Sequence, residues 1–362
     1  MEGMGNIEAL SLWFAAGVAA GMALTGIFQD TYRISGAVML LLCVPLLGRE
    51  RLARSSAHAA TAVLSGTFLL LGIFSALTAS FPALGGHGFL EDAAGRAVEA
   101  LRAEIDGIPF RSEGTAPLLK AFLSGDRSGL SRETVATFRT SGASHLLALS
   151  GLHIGIIYLI FDRPTRLLGH SPAARKVRFV LILSGAGFFT LMTGAMPSIV
   201  RAFLFIAINE TLHLLGRPRK PVRVLCVALF IQLVLSPASI RDVGFQLSYL
   251  AMAGIFLVFP VLERWYPDAG RKDPVRWLWK TAALSLSCQL FTGPLAWYRF
   301  HTFPKHFLLT NLLAIPLTTG LMTVAVVTVA LSAPGLCPDI CIRATDTLCS
   351  LLVQVLEIIS SM

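Results

Sequence analysis

Residues 141–160, SGASHLLALSGLHIGIIYLI, carry two histidines, three serines and three glycines inside a run otherwise apolar enough to enter a membrane. A polar group in hydrocarbon is costly unless it is satisfied, so these residues are expected to face protein or water rather than lipid. On one continuous helix Ser150 and His153, three apart, share a face, as do Ser141 and His145, four apart. His145 and His153 then lie about 80° apart around the axis and ~12 Å along it, too far to hold one metal ion together. Ala143, Leu147, Gly151 and Gly155 form a row ending in two glycines, a face suited to close helix packing. Three kinds of chemistry fit. The hydroxyls can bond back to their own helix in a tightly packed span. The polar groups can line a pathway. Ser150 and His153 can act as nucleophile and base of an intramembrane hydrolase. For the last, the helix supplies no orienting carboxylate and no clear oxyanion site.

The elements that must position these residues are membrane helices. With 54% hydrophobic and 14% charged residues and a mean hydropathy of +0.70, the chain is far more apolar than an ordinary soluble domain. The expected fold is all-α, a polytopic integral membrane protein with about 10 to 11 transmembrane helices. The first, Ala9 to Phe28, has only Glu2 and Glu8 before it and no basic region, so a cleavable signal peptide is not expected. Further spans are expected at Ile34–Leu47, Ala59–Ser80, the central stretch, Val177–Thr193, Pro197–Leu215, Val222–Leu235, Val243–Phe259, Trp277–Tyr298 and Phe307–Leu331. Ile340–Ile359 is either an eleventh span or an interfacial helix.

Arg49, Arg51 and Arg54, then Arg163 to Arg178, then Arg217 to Arg223, are basic runs that fall on one side of this count. The positive-inside rule makes that side, and the N-terminus with it, cytoplasmic. The same rule accounts for the net charge of +9 without a nucleic-acid partner. Residues 81–140 are then extracytoplasmic, with apolar residues at helical spacing in EDAAGRAVEALRAEID. Cys43, Cys226 and Cys288 sit in apolar spans, and Cys337 and Cys341 form a lone CxxxC, so neither a metal nor a cofactor is expected.

In this topology His145, Arg201, Gln246 and Asn311 lie at similar depth in the outer third of four spans. Ser150, His153 and Gln289 lie nearer the midplane. Such layering suits a water-filled vestibule that narrows inward. Each residue also has a plainer role: Arg201 can snorkel to the interface, and Gln246 and Asn311 can join helices. Pro197 and Pro316 can break their helices and expose backbone groups to a cavity.

FRTSGASHLLALSGLHIGIIY, from Phe138 to Tyr158, closely resembles the signature of the ComEC family, the inner-membrane DNA channels of bacterial natural competence. In the family's order follow resemblances to its other motifs: GDRSGLSRET (Gly125–Thr134) before the signature, then MPSIVRAFLF (Met196–Phe205), DVGFQLSYLAMAGI (Asp242–Ile255) and NLLAIPL (Asn311–Leu317). The resemblance implies a bacterial inner-membrane channel component that passes single-stranded DNA to the cytoplasm in natural transformation. His145, Ser150, His153, Arg201, Gln246, Gln289 and Asn311 would line the path, with Gly151 and Gly155 packing helices. It also implies an outer DNA receptor, a cytoplasmic helicase-like motor and a separate nuclease as partners.

The expected organisation is N-terminal transmembrane helices in 1–80, a short extracytoplasmic helical segment in 81–140 and the channel domain in 141–362. Two features of longer family members are not expected here. About 60 mostly helical residues leave no room for an oligonucleotide-binding barrel, and no His-x-His-x-Asp-His cluster provides a metallo-β-lactamase-like nuclease. A transporter of another polymer or anion on the same scaffold is the alternative.

Overall fold

The computed structural model describes residues 6–27, 57–78, 89–169, 171–266, 273–301 and 306–362. The expected span Ile34–Leu47, the arginines at 49–54 and the turn at 81–88 lie outside the described residues. In chain order the helices are α1 (Asn6–Ile27), α2 (Ala57–Thr78), α3 (Phe89–Gly107), α4 (Thr115–Ser124), α5 (Arg132–Thr140), α6 (Ser144–Leu147), α7 (Gly151–Thr165) and α8 (Pro172–Met192). They continue with α9 (Pro197–Leu214), α10 (Pro221–Leu235), α11 (Val243–Leu257), α12 (Phe259–Glu263), α13 (Pro274–Phe300), α14 (Phe307–Ser332) and α15 (Asp339–Ser360). No strand occurs among the described residues, so the fold is all-helical as expected. Among the described residues two helical stretches, Val243–Glu263 and Phe307–Ser332, are long and apolar enough to cross a membrane.

Local sequence explains most helix ends. Ser131, Ser171 and Asp273 cap α5, α8 and α13 by accepting backbone N–H groups of the first turn. Proline opens α8, α9, α10 and α13, where its missing N–H goes unused and its fixed φ suits the first turn. This corrects one expectation, because Pro197 starts α9 rather than breaking it. Pro316 likewise sits inside an uninterrupted α14.

The chain forms two compact units, residues 1–86 with 207–249 and residues 87–206 with 250–362. In the first, α1 and α2 cross so closely that only glycine fits. A Cβ at Gly17 would meet the Leu69 carbonyl oxygen at 1.9 Å, and one at Gly72 would meet that of Phe14 at 2.1 Å. Phe14, Val18, Met22, Ala76, Leu233 and Phe245 form its core, with Phe14 edge-on to Phe230 at 4.7 Å. Where α1 ends, the Arg241 guanidinium donates to the Met22 carbonyl.

In the second unit α3 to α7 share one core with α14 and α15. It runs from Ile105, Leu119 and Phe122 through Phe138, Leu146 and Ile156 to Ala314, Leu321, Cys349, Leu352 and Leu356. α15 is amphipathic: Thr345, Asp346, Cys349, Leu352, Leu356 and Ile359 are buried at helical spacing, while Ile340, Leu351 and Ile358 are exposed.

Candidate functional site

The central stretch is not one helix. α6 ends at Leu147, Ala148 is extended, and α7 begins at Gly151 after Ser150, itself extended at φ −131° and ψ 174°. The facing of Ser150 with His153 expected from a continuous helix is therefore replaced by a cap. The Ser150 backbone N–H donates to His153 Nδ1 at 3.1 Å, the Ser150 Oγ lies 3.0 Å from the same nitrogen, and the Leu152 N–H donates to that Oγ at 3.3 Å. Ser-x-x-His thus does the work of a capping box, with imidazole in place of the usual carboxylate or amide. The separation of His145 from His153 by helical rotation no longer applies. His145 is exposed on α6, its Nδ1 at 3.2 Å from the Gly142 carbonyl oxygen.

The break frees backbone groups that the surrounding segments satisfy. Ser198 of α9 donates its hydroxyl to the Leu149 carbonyl at 2.7 Å. Thr310 of α14 donates to the Ser141 carbonyl at 2.6 Å. On the opposite flank Gly125, left-handed at φ 78°, ends α4, and a Cβ there would meet Leu149 Cδ1 at 2.7 Å. A Cβ at Gly151 would come within 3.6 Å of Ala202 Cβ, which makes this glycine a packing point of α7 on α9. Gly155 differs, since a Cβ there meets nothing within 4 Å.

Arg201 lies one residue before Ala202 and three after Ser198, on the part of α9 that covers the break, and is 7% exposed. His153 is fully buried, edge-on to Phe122 at 5.9 Å, and its Nε2 has no hydrogen-bond partner among the described residues. Asn311, next to Thr310, is half-buried with its Oδ1 also unpartnered among them. Ser150, His153 and Arg201 therefore belong to segments that meet at the break, while Asn311 follows Thr310, which holds the Ser141 carbonyl at the start of the stretch. Gln289 is half-buried on α13 and makes no hydrogen bond with the described residues around it. Gln246 belongs to the other unit, where its amide donates to the Ile240 carbonyl at 2.7 Å.

Outside the apolar helices, Asp126 orders the loop that leads from Gly125. Ser128 bonds its carboxylate through both hydroxyl, at 2.7 Å, and backbone N–H, at 3.0 Å. These bonds, aided by Arg102 with Nε at 3.5 Å, hold the carboxyl below its ordinary range.

Two carboxylates have partners that the sequence reading did not identify. Asp162 of α7 is fully buried and bound by two arginines, Arg166 at 2.7 Å and Arg178 of α8. Asp346 of α15 accepts the Arg111 backbone N–H at 2.8 Å and the Thr115 hydroxyl at 2.7 Å. The Asp346 link spans 231 residues and has no local signal. For Asp162, five basic neighbours against one acid were legible, but not which of them close on it. Among the described residues no cluster of three His, Cys, Asp or Glu side chains can hold a metal ion.

Residues 122–362 match the family described as "Competence protein". Among curated relatives, "ComE operon protein 3" of Bacillus subtilis is 27% identical over 203 residues, 56% of this chain and 24% of its own length. "Competence protein ComA" of Neisseria gonorrhoeae is 30% identical over 227 residues, 61% of this chain and 31% of its own. "Recombination protein 2" of Haemophilus influenzae is 26% identical over 243 residues, 62% and 30% respectively. The chain thus spans about a quarter to a third of the length of these relatives. No solved structure matches.

Proposed function

Because the chain belongs to the competence protein family, we propose that it is an inner-membrane channel component that passes single-stranded DNA into the cytoplasm during natural transformation. The observation that carries this reading is the convergence at the helix break. Gly125, Ser198, Ala202 and Thr310 come from three segments distant in sequence, and all meet the chain between Ser141 and Gly151. A backbone interrupted at membrane depth is tolerated where other protein groups satisfy it or where it lines a cavity. Half-helix starts such as that of α7 favour negative charge. Buried Arg201 adds a planar fork of donors suited to a phosphodiester. Scattered donors and few charges suit passage, since tight binding would trap the strand.

The multi-pass arrangement rests on exposed apolar surface. Val180, Phe188, Leu286, Leu290 and Leu313 are exposed on α8, α13 and α14, an inversion expected of helices in lipid. On α13, Trp277 and Trp297 are 54% and 58% exposed. Twenty residues of helix separate them, ~30 Å, the thickness of a bilayer's hydrocarbon core. We read the chain as crossing the membrane 10 to 11 times with its N-terminus in the cytoplasm.

Ser150 and His153 act in this reading as a cap rather than as a hydrolytic pair. His153 Nδ1 already accepts the Ser150 N–H, and no carboxylate orients Nε2. An outer receptor, a cytoplasmic motor and a nuclease are the partners this function requires.

The deciding experiment is uptake of labelled DNA across the inner membrane in cells lacking the gene, complemented with wild type or His153→Ala at matched membrane abundance. Loss on deletion, rescue by wild type and failure of the variant are expected. Undiminished uptake in the deletion strain would reject the channel reading.

A further inference from the structure

We propose that the exposed face of α5 receives incoming single-stranded DNA at the outer mouth of the protein, the guanidinium groups of Arg132 and Arg139 holding phosphates of one strand. The inference rests on the channel reading and names where the strand is first held. α5 ends directly before the central stretch, and Thr310, in the first turn of α14, donates to the Ser141 carbonyl at 2.6 Å. The count of spans puts that end of α14, and α5 with it, on the outer side. Phe138 anchors the opposite face of α5, buried in one core with Leu352 and Leu356 of α15.

Arg132 and Arg139 lie about 20° apart around the helix and ~10 Å apart along it, so they share a face. Both are exposed, and neither guanidinium makes a hydrogen bond or ion pair among the described residues. Val135 and Ala136, also exposed, stand between them and offer an apolar patch to sugar or base. Arg127, in the turn before α5, adds a third exposed guanidinium without a partner among the described residues. Two acids share this part of the chain. Asp126 is already engaged by Ser128 and Arg102, and Glu133 lies about 100° around α5 from Arg132. The positive-inside rule accounts for basic residues on the cytoplasmic side and leaves these outer arginines unexplained. Guanidinium groups in a row on one helix face bind a polyanion by charge-assisted hydrogen bonds to its phosphates. The face also leads to the break. The Gly142 N–H donates to the Arg139 carbonyl at 3.2 Å, and the Gly142 carbonyl lies 3.2 Å from Nδ1 of exposed His145. A strand lying on α5 thus continues past His145 toward Ala148–Ser150.

The test presents the outer face alone: right-side-out membrane vesicles from cells expressing the full chain, with a fluorescent thymidine oligonucleotide outside, at several salt concentrations. Wild type is expected to bind above vesicles lacking the protein. Arg132→Gln with Arg139→Gln should weaken binding about tenfold and reduce the salt slope by about 1.4, at about 0.7 per phosphate contact on a single strand. Each single change should cost about threefold. Arg132→Lys with Arg139→Lys should keep most of the binding, and Arg217→Gln, in an inner loop, should leave it unchanged. Because both side chains are exposed, the double Gln variant should match wild type in membrane abundance and melting temperature. Wild type no better than empty vesicles, the double Gln variant within twofold of wild type, or an equal loss in Arg217→Gln would each overturn the proposal. So would phosphatidylglycerol that copurifies with wild type and is lost from the double variant without any oligonucleotide binding, which would assign the face to lipid headgroups. The deletion experiment reads uptake whatever α5 binds, so the entry face and the channel can fail separately.

Discussion

His153 Nδ1 accepts the backbone N–H of Ser150 at 3.1 Å, three residues back, while its Nε2 meets no partner among the described residues. The acceptor nitrogen carries no proton, so the neutral ring holds its proton on Nε2. One nitrogen serves the fold, and the other makes no hydrogen bond among the described residues. Substitutions can therefore separate the two. Ser150→Ala removes a cap and should cost about 1 kcal/mol of stability while sparing DNA uptake. His153→Asn retains a short acceptor for the Ser150 N–H but loses Nε2. It should melt closer to wild type than His153→Ala yet still fail in uptake. Thermal melting in detergent beside uptake at matched abundance reads both.

Arg201 should be needed for transport as a donor fork and not merely as a charge. Arg201→Lys is expected to lose more than half of uptake, and Arg201→Gln nearly all, with normal insertion. Full-rate uptake by an inserted Arg201→Gln protein would remove it from the path.

The Asp162 carboxylate should be among the most sensitive positions. Asp162→Asn leaves two arginines facing each other without their counter-charge, a change of about 3–5 kcal/mol. Arg166, 64% exposed in its side chain, should tolerate Gln far better than Arg178, at 22%. Yield of folded protein and melting temperature would test the order.

Glycine positions in α1 and α2 should divide sharply. Gly72→Ala places a methyl 2.1 Å from the Phe14 carbonyl oxygen and forces the helices apart, whereas Gly66→Ala meets nothing within 4 Å. The first should lower melting temperature by several degrees; the second should be neutral or slightly stabilising, since alanine favours helix.

Asp126 gives a pH dependence with a definite sign. Its folded carboxyl is held below the ordinary range, chiefly by Ser128. The stability it contributes is present above the unfolded carboxyl's pKa and is lost as pH falls through the folded one. Ser128→Ala should therefore narrow the gap in melting temperature between neutral and acid pH. An unchanged acid sensitivity would show that other carboxylates dominate.

Much of the fold was legible because apolar runs bounded by capping residues and prolines mark helices directly. The expected Pro197–Leu215 and Phe307–Leu331 compare with observed Pro197–Leu214 and Phe307–Ser332. The break at Ala148–Ser150 was not legible, because ALSG carries no proline and is apolar enough to continue a helix. Its cause is nonlocal: Ser198 takes the Leu149 carbonyl, and Leu149 packs against Gly125. Only Ser-x-x-His hinted at a cap, and imidazole is not the usual partner there. The same limit hid the Asp346 link, whose two sides lie more than 200 residues apart.

The paired arginines on Asp162 bear on how the protein is made. Paired only with Arg166, whose side chain is 64% exposed, the buried Asp162 carboxylate is a poor passenger in hydrocarbon. Its partner Arg178 arrives only after a short connection and the first turns of α8. α7 and α8 should thus leave the insertion machinery as a hairpin, charge matched to charge. A ribosome stalled before Arg178 should hold α7 accessible to aqueous reagents, and one stalled beyond α8 should not.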